Sequence, residues 1–136
     1  MAMQLTEDQE SIRETVERVC LEFEDDYWLE HDESGDFPEE FYRAMADGGW
    51  LGIAMPEEFG GAGLGVTEAS IMMHTVAKTR GAMSAASAIH MNIFGPHAIT
   101  VFGNQEQKER WIPDLIAGEY KSCFGVTEPN SGLNTA

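Results

Sequence analysis

Ser84-Ala-Ala-Ser-Ala-Ile-His-Met-Asn-Ile-Phe-Gly-Pro-His-Ala-Ile-Thr-Val-Phe102 contains no Asp, Glu, Lys or Arg. Its apolar residues (Ala85, Ala86, Ile89, Met91, Ile93, Phe94, Ala98, Ile99, Val101) fall on most sides of a helix rather than on one stripe. A helix of that kind is packed by several neighbours, so this one is predicted to be central. Gly95-Pro96 predicts a kink, because Pro96 removes a backbone donor and clashes one turn back.

The elements on either side are amphipathic. Thr6 with Gln9 forms a capping-box signature, and Ile12, Val16, Val19, Cys20, Phe23 and Tyr27 then share one stripe of a helix running to about Asp26. Glu30 to Asp36 reads as a charged loop. A second helix starts at Pro38, carries Phe41, Ala44 and Met45, and ends at Gly48-Gly49. Trp50 to Ile53 is a short connector. A third helix spans Val66 to about Arg80, with Ile71, Met72 and Val76 facing inward. Asn104 with Gln107 caps a fifth helix after the central one; it ends near Gly118, turns Trp111, Leu115 and Ile116 inward, and should bend or shorten at Pro113. The fold class is all-α, a helical bundle with a short C-terminal β-strand stub.

That stub is Cys123 to Val126, an apolar run starting from Tyr120 and broken at Pro129 before the turn formers Asn130-Ser131-Gly132. Thr127 suits a strand end from which hydroxyl and amide both face a ligand. Asn130 and Gly132 tolerate positive φ, which can aim successive N–H groups at an acceptor. A strand without a partner implies a cut inside a second domain. The expected division is a helical domain over 1–119 and the start of another over 120–136.

Composition narrows the function classes. Among 136 residues, 24 are acidic and 8 basic, a net charge of −16. Eighteen of the acidic side chains, against three basic ones, lie in residues 1–60. Such a surface disfavours nucleic acid and anionic membrane; it reads first as a solvated face and second as adaptation to a salty cytoplasm. No apolar run approaches the length of a membrane span, and the polar, acidic N-terminus is unlike a targeting peptide. Cys20 and Cys123 are far apart, as expected of reduced thiols in a cytoplasmic protein.

Other features read as structural. Glycines 60–65 precede a helix, but the pattern lacks the spacing of a dinucleotide or phosphate loop, so a turn is expected. His74, His90 and His97 lack metal-ligand spacing, and no metal site is expected. No catalytic triad or activated thiol is argued, and Cys123 is expected to be a small buried hydrophobe. His90 reads as a satisfied core histidine, with a ligand-facing role as the alternative.

Three blocks carry a family resemblance: Thr127-Glu128-Pro129 followed by Ser131-Gly132, Met55-Pro-Glu-Glu-Phe-Gly-Gly-Ala-Gly-Leu-Gly65, and Gly103-Asn-Gln-Glu-Gln-Lys-Glu-Arg-Trp-Ile-Pro113. Taken in chain order they make the chain similar to the acyl-CoA dehydrogenases over nearly its whole length. The resemblance implies the N-terminal helical domain of an FAD enzyme that dehydrogenates an acyl-CoA thioester between its α and β carbons. It implies FAD contacts from Phe124, Val126, Thr127, Gly132 and Leu133, and a substrate pocket lined by Ser87, His90, Phe94 and Leu133. Phe94 would shorten that pocket, and His90 would suit an acyl chain of some polarity. Leu133-Asn134 departs from the common Ser-Asp, which removes a side-chain hydrogen bond to substrate. An electron-transfer flavoprotein and a homo-oligomeric assembly are implied as partners. The family's catalytic base belongs to a C-terminal domain, so no catalytic residue is assigned here and the chain alone is expected to be inactive. An acyl-CoA oxidase or flavin monooxygenase of the same superfamily, or a free-standing helical interaction module, are the alternatives.

Overall fold

A computed structural model describes residues 4–130 and 132. Seven helices occur in it: α1 Glu7–Leu21, α2 Asp25–Ser34, α3 Glu39–Asp47, α4 Val66–Lys78, α5 Ala82–Phe94, α6 His97–Phe102 and α7 Gln105–Ile116. Short 3-10 turns at Trp50–Gly52 and Glu57–Phe59 link α3 to α4. The all-α class therefore holds.

Both expected capping boxes form. Gln9 N donates to Thr6 Oγ1 and Thr6 N to Gln9 Oε1, with the equivalent pair at Asn104 and Gln107. Satisfying orphan amides in this way fixes where α1 and α7 begin. Glu68 does similar work for α4: one carboxylate oxygen accepts from Gly65 N and the other from Gln9 Nε2 on α1. These bonds hold the Glu68 carboxyl below its usual pKa, with the Gln9 bond the largest cause.

The stretch expected as the end of one helix plus a charged loop contains a separate helix. α1 stops at Leu21, and Asp25 and Asp26 then occupy the first turn of α2, where they oppose the positive end of its dipole. Trp28 is the buried residue of α2, and Gly35 closes it in the left-handed conformation (φ 76). Phe23 and Tyr27 still pack on the core, now from the bend between α1 and α2 and from α2 itself.

α1 and α4 lie against each other, and α5 packs on α4, α3 and the 50–52 turn. The main core joins Val16, Cys20, Trp28, Phe41, Tyr42, Met45, Leu51, Ile53, Met72, Val76, Ile89 and Ile93. A smaller cluster of Met55, Phe59, Ile112 and Ile116 sits beneath α7. Full burial of such a side chain contributes about 1.5–3 kcal/mol. Burial pushes the Cys20 thiol pKa up, in keeping with an inert core position.

Residues 60–65 form the expected structural turn. Ala62 N, Gly63 N and Leu64 N donate to Gly52 O, Met55 O and Ile53 O, strapping the loop back on the preceding turns. A Cβ at Gly61 would stand 2.2 Å from Met55 O, so this approach excludes any side chain.

Four expectations are corrected. The apolar run 84–102 divides at Gly95-Pro96 into α5 and α6, because Pro96 starts a new turn instead of continuing the ladder. α5 buries Ala85, Ala86, Ile89, Asn92 and Ile93, whereas α6 buries none of its residues. On α7 the inward residues are Ile112, Leu115 and Ile116; Trp111 is 37% exposed and lies near Tyr120. α7 contains Pro113 and ends at Ile116, just short of the expected Gly118. Finally, no strand forms among the described residues: 120–127 have no regular structure and Glu128 makes an isolated bridge. A strand requires a partner ladder, and no described strand supplies one. Cys123, expected to be buried in that strand, is exposed.

Candidate functional site

The candidate site comprises the exit segment from Tyr120 onward and the adjacent outer face of α5. One buried side chain joins them. Asn92 is 3% exposed, and its amide is fully engaged. The two N–H groups of Nδ2 are shared among three acceptors, Tyr42 Oη (2.8 Å), Leu115 O (3.2 Å) and Tyr120 O (2.7 Å). Oδ1 accepts from Ser122 N at 2.9 Å. Ser122 Oγ donates to Met91 O at 2.6 Å. α3, α7 and the exit segment thus meet on one amide, and its bonds to Tyr42 and Leu115 are buried, where an unmade one is costly.

Surface contacts reinforce the same junction. Tyr42 Oη donates to Tyr120 O at 3.3 Å. Lys121 Nζ donates to Glu39 at 2.7 Å and sits over the rings of Phe37 (4.4 Å) and Tyr42 (4.9 Å). Arg43 pairs with Glu119 at 3.1 Å and with Glu39 at 3.4 Å. The Lys121 hydrogen bond is the largest cause holding the Glu39 carboxyl below its usual pKa. Burial pushes the Tyr42 phenol up, so it remains a neutral hydroxyl that both donates and accepts.

Beyond Ser122 the segment is open to solvent. Phe124 is 72% and Val126 37% exposed, and Thr127 and Gly132 are exposed as well. Leu133 lies outside the described residues. Among the described residues no hydrogen bond ties 123–130 to the helices. The Thr127 hydroxyl, the backbone amides and the apolar Phe124 and Val126 are groups of the kind that suit the edge of a polar heteroaromatic ring.

Ser87, His90 and Phe94 share one face of α5, at i, i+3 and i+7. All three are exposed, Phe94 to 42%. His90 is therefore not a core histidine; its Nδ1 lies 3.1 Å from Ser87 O in its own helix. The face adjoins the exit, since Ser122 Oγ bonds the carbonyl of Met91, next to His90. Asn92 was missed as a functional residue because its partners are 23 to 50 positions away. Asn92 is one of several polar residues on a run without charge, and that pattern alone does not single it out. Among the described residues no cluster of His, Cys, Asp and Glu could hold a metal ion, and no helix is long and apolar enough to cross a membrane.

Residues 6–119 match the family model of the acyl-CoA dehydrogenase N-terminal domain. The chain belongs to the acyl-CoA dehydrogenase family. Among its relatives, the mitochondrial isovaleryl-CoA dehydrogenase of Bos taurus is 35% identical over 130 residues, covering 94% of this chain and 30% of the relative. The acryloyl-CoA reductase (NADH) of Anaerotignum propionicum is 34% identical over 132 residues, covering 97% and 33% respectively. A solved structure described as an electron transferring flavoprotein of Acidaminococcus fermentans superposes with a TM-score of 0.87 at 27% identity, over 99% of this chain and 35% of that one. The chain thus spans about a third of the length of the relatives it matches.

Proposed function

We propose that these residues form the N-terminal part of an FAD-dependent acyl-CoA dehydrogenase. In this reading, 1–119 are the helical domain and 120–136 enter the flavin-binding β domain. The observation that carries it is the exposed donor segment after Ser122, pinned beside an exposed α5 face.

FAD, when bound, accepts the hydride from the β-carbon of the acyl-CoA thioester. The chain's own residues bind and orient. Thr127 offers its hydroxyl and amide to the flavin edge, Phe124 and Val126 supply apolar contact, and Gly132 admits close backbone approach. Ser87, His90 and Phe94 line the end of the acyl pocket with Leu133. Phe94 limits its depth, and His90 favours an acyl chain with a polar group. The α-proton leaves to a carboxylate outside these 136 residues, and no glutamate here takes that role. Electrons pass on to an electron-transfer flavoprotein from a cytoplasmic homo-oligomer. The 136 residues alone neither retain FAD nor turn over.

The test is anaerobic mixing of the intact protein with a panel of acyl-CoA thioesters. Bleaching of the flavin band with formation of a 2-enoyl-CoA is expected, and slow reoxidation by oxygen would separate a dehydrogenase from an oxidase. A flavin that no acyl-CoA bleaches contradicts the proposal.

A further inference from the structure

We infer that Asn92 is a positioning residue for the flavin-contacting segment, acting through Ser122; this rests on the reading that the residues after Ser122 contact the flavin. Side chains that serve a helical core alone bond within it. Asn92 instead divides its amide between the core (Tyr42 Oη, Leu115 O) and the exit (Tyr120 O, Ser122 N). The hydroxyl of Ser122 adds a second tie, to Met91 O. No described residue after Ser122 is buried or hydrogen-bonded to the helices.

The consequence is geometric. Thr127 lies five residues beyond Ser122, and five extended residues reach about 17 Å. Without the latch the nearest remaining tie upstream is the exposed pair of Lys121 with Glu39, six residues from Thr127, for a reach of about 20 Å. The volume open to Thr127 then grows roughly 1.7-fold by the cube of that ratio, and further whenever that exposed pair opens. A segment already confined loses less freedom when the cofactor binds, so the latch acts as preorganisation. It also fixes the direction in which the chain leaves, beside the α5 turn that carries His90 and Phe94.

Ser122→Ala removes the hydroxyl tie from a half-buried site and leaves the Asn92 amide satisfied. Asn92→Asp keeps the acceptor for Ser122 N but loses both N–H donors. FAD affinity of the intact apoprotein, measured by calorimetric titration, reports the effect alongside the melting temperature of that apoprotein. Ser122→Ala is expected to weaken FAD binding measurably, by no more than the roughly fivefold that one hydrogen bond sets, at nearly unchanged apoprotein melting. Ser122→Thr, which keeps the hydroxyl, is expected to restore it. Asn92→Asp is expected to weaken binding further; should it not fold, the serine pair decides. Wild-type affinity in Ser122→Ala, or no rescue by Ser122→Thr, overturns the inference while leaving the flavin reading intact. An intact wild-type protein that binds no FAD overturns that reading and the inference with it.

Discussion

Asn92 Oδ1 accepts the backbone N–H of Ser122 at 2.9 Å, so a side chain on α5 closes the path by which the chain leaves the helical domain. The turn before it is crowded. Gly118 adopts φ 71, and a Cβ there would lie 2.9 Å from Ala46 Cβ and 3.1 Å from Tyr42 Cε1. Gly35 adopts φ 76 with nothing within 4 Å of a built Cβ. Both Ala substitutions incur the left-handed penalty of about 1–2 kcal/mol, but only Gly118→Ala adds steric conflict. Urea denaturation is expected to show a larger loss for Gly118→Ala than for Gly35→Ala. Equal losses would mean that the α7 exit is not packed against α3 as described.

Phe94 and Ile89 sit on one helix in opposite settings. Ile89 is fully buried and Phe94 is 42% exposed. Ile89→Ala is expected to cost about 2–5 kcal/mol. Phe94→Ala should cost less than about 1 kcal/mol, well short of the ~3–5 kcal/mol of a buried Phe. A large loss at Phe94 would place it in a packed interior rather than on an open pocket wall. In the intact enzyme the same change is expected to extend the longest acyl chain accepted.

Much of the fold was legible in local signals. Capping pairs at Thr6 and Asn104, the glycines of 60–65 and the chargeless run around Ile89 each report on their own neighbourhood. α2 escaped because its acidic surface resembles a solvated loop, and only Trp28 and the terminal Gly35 mark it as a helix. The break after Phe94 was expected as a kink, because proline chemistry is local but the outcome depends on what packs beyond it. The strand could not form without a partner, and nothing within residues 120–126 specifies one. The Asn92 latch was the least legible feature, since one asparagine says nothing of Tyr42, Leu115 and Ser122 until the chain is folded.

The Lys121–Glu39 pair gives the exit a dependence on pH. Glu39 is held below the usual glutamate value of 4.5, chiefly by its hydrogen bond from Lys121. A depressed carboxylate stabilises the fold above its unfolded pKa, and that contribution is lost as pH falls through the folded pKa. The pair is about half exposed, so it contributes about 0–1 kcal/mol and is screened by salt. Glu39→Gln is therefore expected to melt slightly below wild type at pH 7, with the gap closing at pH values below 4.5. A gap that persists or widens in acid would mean that the pair does not hold the exit.

Retention of FAD is expected to separate this chain from the intact protein of the proposed reading. The donor segment is solvent-exposed, and ordering it on a ligand costs about 1–2 kcal/mol per residue in backbone freedom alone. Equilibrium dialysis of the 136-residue chain against micromolar FAD is expected to show no retained cofactor. A 1:1 complex would show that the segment suffices by itself.

Thr127 provides the most direct measurement of whether the segment after Ser122 meets the flavin. Thr127→Val keeps β-branching and volume, and removes a hydroxyl that can donate to the ring as it gains negative charge on reduction. A hydrogen bond to a charged acceptor is worth about 1.5–3 kcal/mol, and for a two-electron couple ~1.4 kcal/mol corresponds to ~30 mV. Spectroelectrochemical titration of the intact variant is expected to show a potential lower by some tens of millivolts at an unchanged melting temperature. An unchanged potential would mean that the Thr127 hydroxyl does not reach the flavin, contradicting the assignment of this segment to the cofactor.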